Sequence, residues 1–401
     1  YMRHVILGNS AAGFSDATQI RELTKDDEIV IISKETTPIY AKIMLPYYVG
    51  NDIDRDKLFL KELEFYRQKD IELILGKRAQ FIDVQRDEVV LDDGTTYKYD
   101  NLLIGVGGVP FVAPVANLDK INYFTINCLN DADIIKQSAR QGKRALIIGT
   151  GLTGVEMAFA LSKSGMDVAL VERGDTILPM LLGHTASRIM SGYLEKFGVE
   201  LFLQATVDRI EPDVDYNMAI LSDGTNIPFD MFIFAIGSRP NISIVEGSPI
   251  EVSKGIKVDE YMRTSVPNVF AAGDVAEPQF EMQDGFVSSY IWPNAMAQGR
   301  CAANNMLGYN RPFNASGFQN TVQLKDVPFY SAGLVRPSKS GYKIKSKHDE
   351  DLGIYKRLVT RDGYICGVQM IGDISNAREA ASHMKKKSRL SADEMEKYIS
   401  I

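Results

Sequence analysis

Cysteine is scarce in this chain: Cys128, Cys301 and Cys366 stand far apart among 401 residues, odd in number and without a CxxC pair. That excludes a disulfide framework or a structural zinc site as an organising feature and points to a reducing compartment, the cytoplasm. Three scattered thiols also cannot supply the four thiolates of an iron–sulfur centre. Histidine is equally sparse, and none of His4, His184, His348 and His383 lies at metal-ligand spacing, so no metal is expected. There is no basic excess, since the formal net charge is −7, which argues against nucleic acid as a partner. The one dense basic stretch, His383 to Arg389 with Lys385, Lys386 and Lys387 in a row, reads first as a solvated helix end; a docking patch for an acidic partner is the alternative. Apolar runs are too short to span a bilayer, and no charged segment followed by an apolar one opens the chain. Neither a membrane span nor a leader is expected.

What is present is an ordinary globular composition, 45% hydrophobic and 24% charged, with length for two or three domains. It carries an internal repeat. Val5 to Ala17 reads as a short apolar strand, the turn Gly8-Asn9-Ser10-Ala11-Ala12-Gly13 and a helix; Ala145 to Ala158 repeats this with Gly149-Thr150-Gly151-Leu152-Thr153-Gly154. Asp93-Gly94-Thr95, then Asn101 to Ile104 and Gly107-Gly108-Val109-Pro110, recurs as Asp223-Gly224-Thr225, then Met231 to Phe234 and Gly237-Ser238-Arg239-Pro240. Each half is therefore a βαβ unit, a small β-meander turning at Asp-Gly, and an apolar strand ending in a glycine loop. After Pro240 come one more buried strand ending at Gly273-Asp274 and a helix from about Pro293 to Met306. From about Arg311, alternating segments such as Gly353 to Val359 and Gly363 to Ile371 indicate a separate α+β domain.

The second loop is a full GxGxxG after an apolar strand, and Glu172 follows eighteen positions after Gly154 at the end of the strand Asp167 to Val171. This pattern sets backbone N–H groups and a helix N-terminus against a pyrophosphate and a carboxylate against ribose hydroxyls. A carboxylate there favours NADH over NADPH, whereas Arg173 beside it would tolerate a 2′-phosphate. In the first loop Ser10 replaces the middle glycine, with a small Cβ and a hydroxyl able to bond a phosphate oxygen. Glu35, twenty-two positions after Gly13, takes the ribose-binding place.

Together GNSAAG, Tyr40 to Tyr48 (YAKIMLPYY), LLIGVGGVP, GTGLTGVE, FAIGSRPN, NVFAAGDVAE and Trp292 to Gly299 (WPNAMAQG) resemble the pyridine nucleotide-disulfide oxidoreductases, in particular the thiol-less branch of rubredoxin reductases, ferredoxin reductases and the nitrite reductase flavin module. The resemblance implies an α/β fold of two tandem Rossmann-like domains with a small C-terminal α+β domain. The FAD domain would be discontinuous (1–112 and 243–310), the NAD(P)H domain would span 113–242, and the C-terminal interface domain 311–401. It assigns FAD to Gly8, Ser10, Ala12, Gly13, Glu35, Lys42, Ala79, Gly107, Gly273, Asp274 and Trp292. It assigns NAD to Gly149, Gly151, Leu152, Thr153, Gly154, Glu156, Glu172, Arg173 and Gly237. Lys42 and Glu156 are the catalytic candidates, Lys42 near the FAD pyrophosphate and Glu156 by the flavin and nicotinamide; a first-turn acid favoured by the helix dipole is the bland reading of Glu156.

Relatives with redox thiols carry cysteine in the segment that here reads Tyr40 to Tyr48, where Ile43 and Met44 stand instead. Disulfide reduction is therefore not expected, and Cys301 reads as a packing residue. The implied chemistry is direct: hydride from NADH to flavin, then electrons to a rubredoxin-type or iron–sulfur protein, either a soluble carrier or a subunit of a larger oxidoreductase complex. Two alternatives stay open, an NADH oxidase or small-molecule reductase acting at the flavin, and a FAD- and NADH-binding regulatory protein without significant turnover.

Overall fold

The computed structural model describes residues 1–213, 216–279, 291–313, 322–334, 336–337 and 340–401. They form two compact units, one from Tyr1–Ile43, Arg55–Val109 and the described part of Ser238–Phe318, the other from Met44–Asp54, Pro110–Gly237 and the described part of Gln319–Ile401.

In the first unit a five-stranded parallel sheet runs in the order Val269–Ala271, Asn101–Ile104, Arg3–Leu7, Glu28–Ser33, Glu72–Leu75. Its strands are near-continuous apolar runs such as Val30-Ile31-Ile32 because both faces of a parallel sheet are covered. The helices Ala11–Leu23 and Trp292–Met306 pack against each other. Their closeness requires glycine at 299, where a Cβ would stand 2.2 Å from the Ala12 carbonyl oxygen. The predicted meander is the three strands Ala79–Asp83, Glu88–Leu91 and Thr96–Lys98, its second turn made by Gly94 at φ +84°.

The second unit repeats this plan. Its parallel sheet orders Val199–Leu203, Asp167–Glu172, Arg144–Ile148, Met231–Phe234, Phe124–Thr125, and its meander is Val207–Pro212, Asn217–Leu221, Asn226–Phe229. The C-terminal residues form an antiparallel five-stranded sheet, Val322–Leu324, Phe329–Gly333, Tyr364–Ile371, Ile354–Arg361, Lys343–Asp349, with helices Ala377–Lys386 and Ala392–Ile399. Within this unit the helix His184–Lys196 meets that sheet, and Arg188 pairs with Glu350 at 2.6 Å. Inside the antiparallel sheet Lys356 is almost fully buried, and its ammonium donates to Asp373 Oδ2 at 2.5 Å and to the Ser400 carbonyl at 2.9 Å. A buried cation demands such partners. The Lys356 bond holds the Asp373 carboxyl down at about 2.

Candidate functional site

Each unit carries a cradle at a strand-to-helix turn, between Arg3–Leu7 and Ala11–Leu23 in the first and between Arg144–Ile148 and Leu152–Lys163 in the second. In the first, Gly8 at φ +107° closes the turn against the Gly105 carbonyl oxygen, which a Cβ would approach to 2.3 Å. A Cβ on Gly13 would lie 1.9 Å from the Gly8 carbonyl oxygen, so helix and turn meet only through glycine. Ser10 is the N-cap of the helix Ala11–Leu23, and its side chain makes no capping bond. The hydroxyl and the first-turn N–H groups of the helix are thereby left to an outside acceptor. The amide nitrogen of Asn9 in the same turn is buried with no partner among the described residues.

Around this turn the sequence-named side chains are brought together. Glu35 accepts from the Tyr40 hydroxyl at 2.5 Å and pairs with Lys42 at 2.8 Å. Gly273, at φ +78°, donates its N–H to Gln298 Oε1 at 2.8 Å and faces Ala12, whose Cβ a side chain at 273 would approach to 3.2 Å. Burial raises the Asp274 carboxyl while the charge of Lys42 acts in the opposite sense. Gly107 is a positive-φ loop residue with open space where a side chain would be. Ala79 opens the meander opposite Leu91, and Trp292 begins its helix; both pack on the apolar core of the unit.

The second cradle is built alike. Gly149, at φ +102°, would meet the Ala235 carbonyl oxygen at 2.6 Å, and Gly154 would meet the Gly149 carbonyl oxygen at 2.0 Å. Gly151 differs, because nothing lies within 4 Å of where its Cβ would be. Two glycines are thus demanded by the protein itself and the third leaves an open backbone surface. Leu152 starts the helix Leu152–Lys163 and Thr153 is exposed beside it. Glu172 accepts from the Thr150 hydroxyl at 2.8 Å and the Gly174 N–H at 2.8 Å, which fixes the carboxylate at the loop. Arg173 is exposed and Gly237 turns at φ +90° with open space at its Cβ.

Glu156, one turn into that helix, accepts a hydrogen bond from the Tyr47 hydroxyl at 3.1 Å. Burial pushes its carboxyl up to about 7, with the Tyr47 bond opposing and Asp326 adding to the rise. Tyr47, Gln298 and the turn at Lys325 and Asp326 were not singled out from the sequence. Tyr47 and Gln298 lie inside YAKIMLPYY and WPNAMAQG, but a motif does not say which neighbour each side chain will reach.

Both cradles fit a dinucleotide: N–H groups at a helix start, turns that only glycine can make, an orphaned amide in one and open backbone in the other. Among the described residues no cluster could hold a metal ion and no helix is long and apolar enough to cross a membrane. Cys301 is buried and its thiol is pushed up to about 12 by that burial.

Residues 2–299 match the pyridine nucleotide-disulphide oxidoreductase family and residues 320–388 the rubredoxin NAD+ reductase C-terminal domain. The chain is 30% identical over 389 residues to the nitrite reductase [NAD(P)H] of Bacillus subtilis, covering 96% of this chain and 48% of that protein. With an assimilatory nitrate reductase electron transfer subunit of the same organism it shares 27% over 391 residues, 97% of this chain and 50% of the other. It thus spans about half the length of these two relatives. It is also 26% identical to the rubredoxin-NAD(+) reductase of Alcanivorax borkumensis, over 92% of this chain and 94% of that one. The fold matches putidaredoxin reductase in its covalent complex with putidaredoxin, at TM-score 0.86 and 23% identity, covering 98% and 95% of the two chains. The chain belongs to the pyridine nucleotide-disulphide oxidoreductase family, which binds FAD and NAD(P)H.

Proposed function

We propose that this chain is an NADH-linked flavoprotein reductase that delivers electrons to a rubredoxin-type or iron–sulfur protein, either a separate carrier or a subunit of a larger oxidoreductase. The reading is carried by the pairing of two glycine cradles with a segment from Tyr40 to Tyr48 that lacks cysteine. FAD, when bound, accepts two electrons together and releases them singly. The chain's own residues do the rest. The first cradle, with Gly8, Ser10, Ala12 and Gly13, holds the FAD diphosphate, and Glu35, Lys42, Ala79, Gly107, Gly273, Asp274 and Trp292 hold the remainder of the cofactor. The second, with Gly149, Gly151, Leu152, Thr153, Gly154 and Gly237, holds the nicotinamide dinucleotide.

Glu172 favours NADH because a fixed carboxylate accepts from a free 2′-hydroxyl and repels a 2′-phosphate. Arg173, exposed beside it, sets the limit of that preference. Burial brings the Glu156 carboxyl up to about 7, the range that suits a group serving acid–base work at neutral pH. We keep the division into a FAD domain of 1–112 and 243–310, a NAD(P)H domain of 113–242 and a C-terminal domain of 311–401, and a cytoplasmic location.

A second reading, direct oxidation of NADH by oxygen, is favoured by the 29% identity to an NADH oxidase of Methanocaldococcus jannaschii over 92% of this chain and 88% of that one. Anaerobic reduction of rubredoxin by NADH with the purified protein tests the first reading. Rapid rubredoxin reduction there, with slow oxygen uptake in a separate aerobic assay, supports it; rapid aerobic oxygen uptake with no anaerobic rubredoxin reduction supports the second.

A further inference from the structure

Tyr47 belongs to the short helix Leu45–Val49 and is 8% exposed. That helix lies against Leu152–Lys163 within one unit. The approach is close because residue 50 is glycine: a Cβ there would stand 3.0 Å from Ala160 Cα. One turn earlier on both helices, Tyr47 meets Glu156, and its hydroxyl donates to Glu156 Oε1 at 3.1 Å. The Tyr47 hydroxyl oxygen accepts the backbone N–H of Lys325 at 3.3 Å. A phenol that accepts from one side has its single proton directed to the other. Burial, reinforced by Glu156, holds this phenol well above its ordinary range, so it stays a donor through neutral pH.

The charges around Glu156 are few. On the Tyr47 side, Asp326 and Asp52 both bond to Lys163, Asp326 at 2.7 Å, and the Lys325 ammonium lies 3.9 Å from Asp52. On the sheet side, the strands that pack on this helix carry charge at their ends, Arg144 paired with Glu200, then Asp167 and Glu172. The carboxyl thus has one neutral donor in contact, Tyr47, which favours its ionised form, and the charge of Asp326, held on the same helix through Lys163, which disfavours it.

We propose that Tyr47 is the positioning residue that sets the ionisation of Glu156, and that the turn at Lys325 and Asp326 is a second control on the same carboxyl. The proposal rests on the reading of Glu156 as the acid–base group of the nicotinamide site. It ties the C-terminal segment to that site through the Lys325 N–H on Tyr47 and the Asp326 carboxylate on Lys163, inside one unit.

The test is a pH titration of the full chain labelled with 13C at the glutamate δ-carbon, with Glu156→Gln identifying the resonance. The wild type should titrate near pH 7. Tyr47→Phe keeps the ring and removes the donor, so the midpoint should rise by about one pH unit; Asp326→Asn should lower it. Opposite movements in the two folded variants support the proposal, because a general loosening would move both the same way. An unmoved midpoint in Tyr47→Phe, or equal movements in both, overturns it. Failure of the underlying reading shows separately, as Glu156→Gln protein that is reduced by NADH at the wild-type rate.

Discussion

The Lys42 ammonium lies 2.8 Å from the Glu35 carboxylate, and the Tyr40 hydroxyl donates to the other oxygen of that carboxylate at 2.5 Å. Spacing makes Glu35 a ribose ligand and the family resemblance makes Lys42 a cation for the pyrophosphate, with no link between them. Their pairing means that each orients the other, so Glu35→Gln should weaken FAD binding by more than a single ribose contact would. A loss of about tenfold, equivalent to about 1.4 kcal/mol, is expected in fluorescence titrations of the apoprotein. Unchanged affinity would show that Glu35 neither touches nor orients anything the flavin needs.

In the proposed function, Glu172 carries the coenzyme preference. Its carboxylate is tied to Thr150 and Gly174, so the substitution that separates charge from structure is Glu172→Gln, which keeps the shape. The ratio of kcat/KM for NADH over NADPH should fall by about tenfold, as expected when repulsion of the 2′-phosphate is removed. An unchanged ratio in a fully folded variant would leave Glu172 as a loop brace only.

Asp16 offers a prediction about stability. It is fully buried in the helix Ala11–Leu23, neither carboxyl oxygen has a hydrogen-bond partner among the described residues, and burial raises its carboxyl well above the ordinary value. A raised folded-state value means that the folded chain binds a proton more tightly than the unfolded chain. Stability is then fully present below about pH 4, the unfolded value, and is lost as the pH rises from there toward the folded value. Asp16→Asn cannot ionise, so it should flatten the fall in denaturation midpoint between pH 4 and pH 8. Parallel curves for the two proteins would contradict this.

Much of the architecture was legible because it rests on local rules. The duplicated strand, glycine turn and helix follow from turns that only glycine can make, as at Gly8 and Gly149, and the meanders follow from Asp-Gly turns at Gly94 and Gly224. The strand Asp167–Glu172 and the helix Trp292–Met306 lie where apolar runs and flanking turns put them, the strand ending one residue later and the helix starting one residue earlier than expected. Side-chain partnerships between distant segments were not legible. Tyr47 reaches Glu156 across 109 positions and Lys325 across 278, and no periodicity encodes such distances. The buried, unpartnered state of Asp16 was hidden for the same reason, since a lone acid in a helix reads as a solvated one.

Of the two dinucleotide cradles, the second is best probed at Gly151. Its backbone, at φ −66°, suits any residue and nothing lies within 4 Å of its missing Cβ, so Gly151→Val should fold normally and obstruct only a bound diphosphate. Calorimetric titration of NADH into the flavin-loaded protein, compared with this variant and with Asp274→Ala, is the decisive measurement. Wild type should carry one FAD per chain and bind NADH; Gly151→Val should retain FAD and lose NADH binding, and Asp274→Ala should lose flavin. A folded wild-type protein that is colourless and takes up no FAD, or a Gly151→Val variant that binds NADH like wild type, would contradict the account.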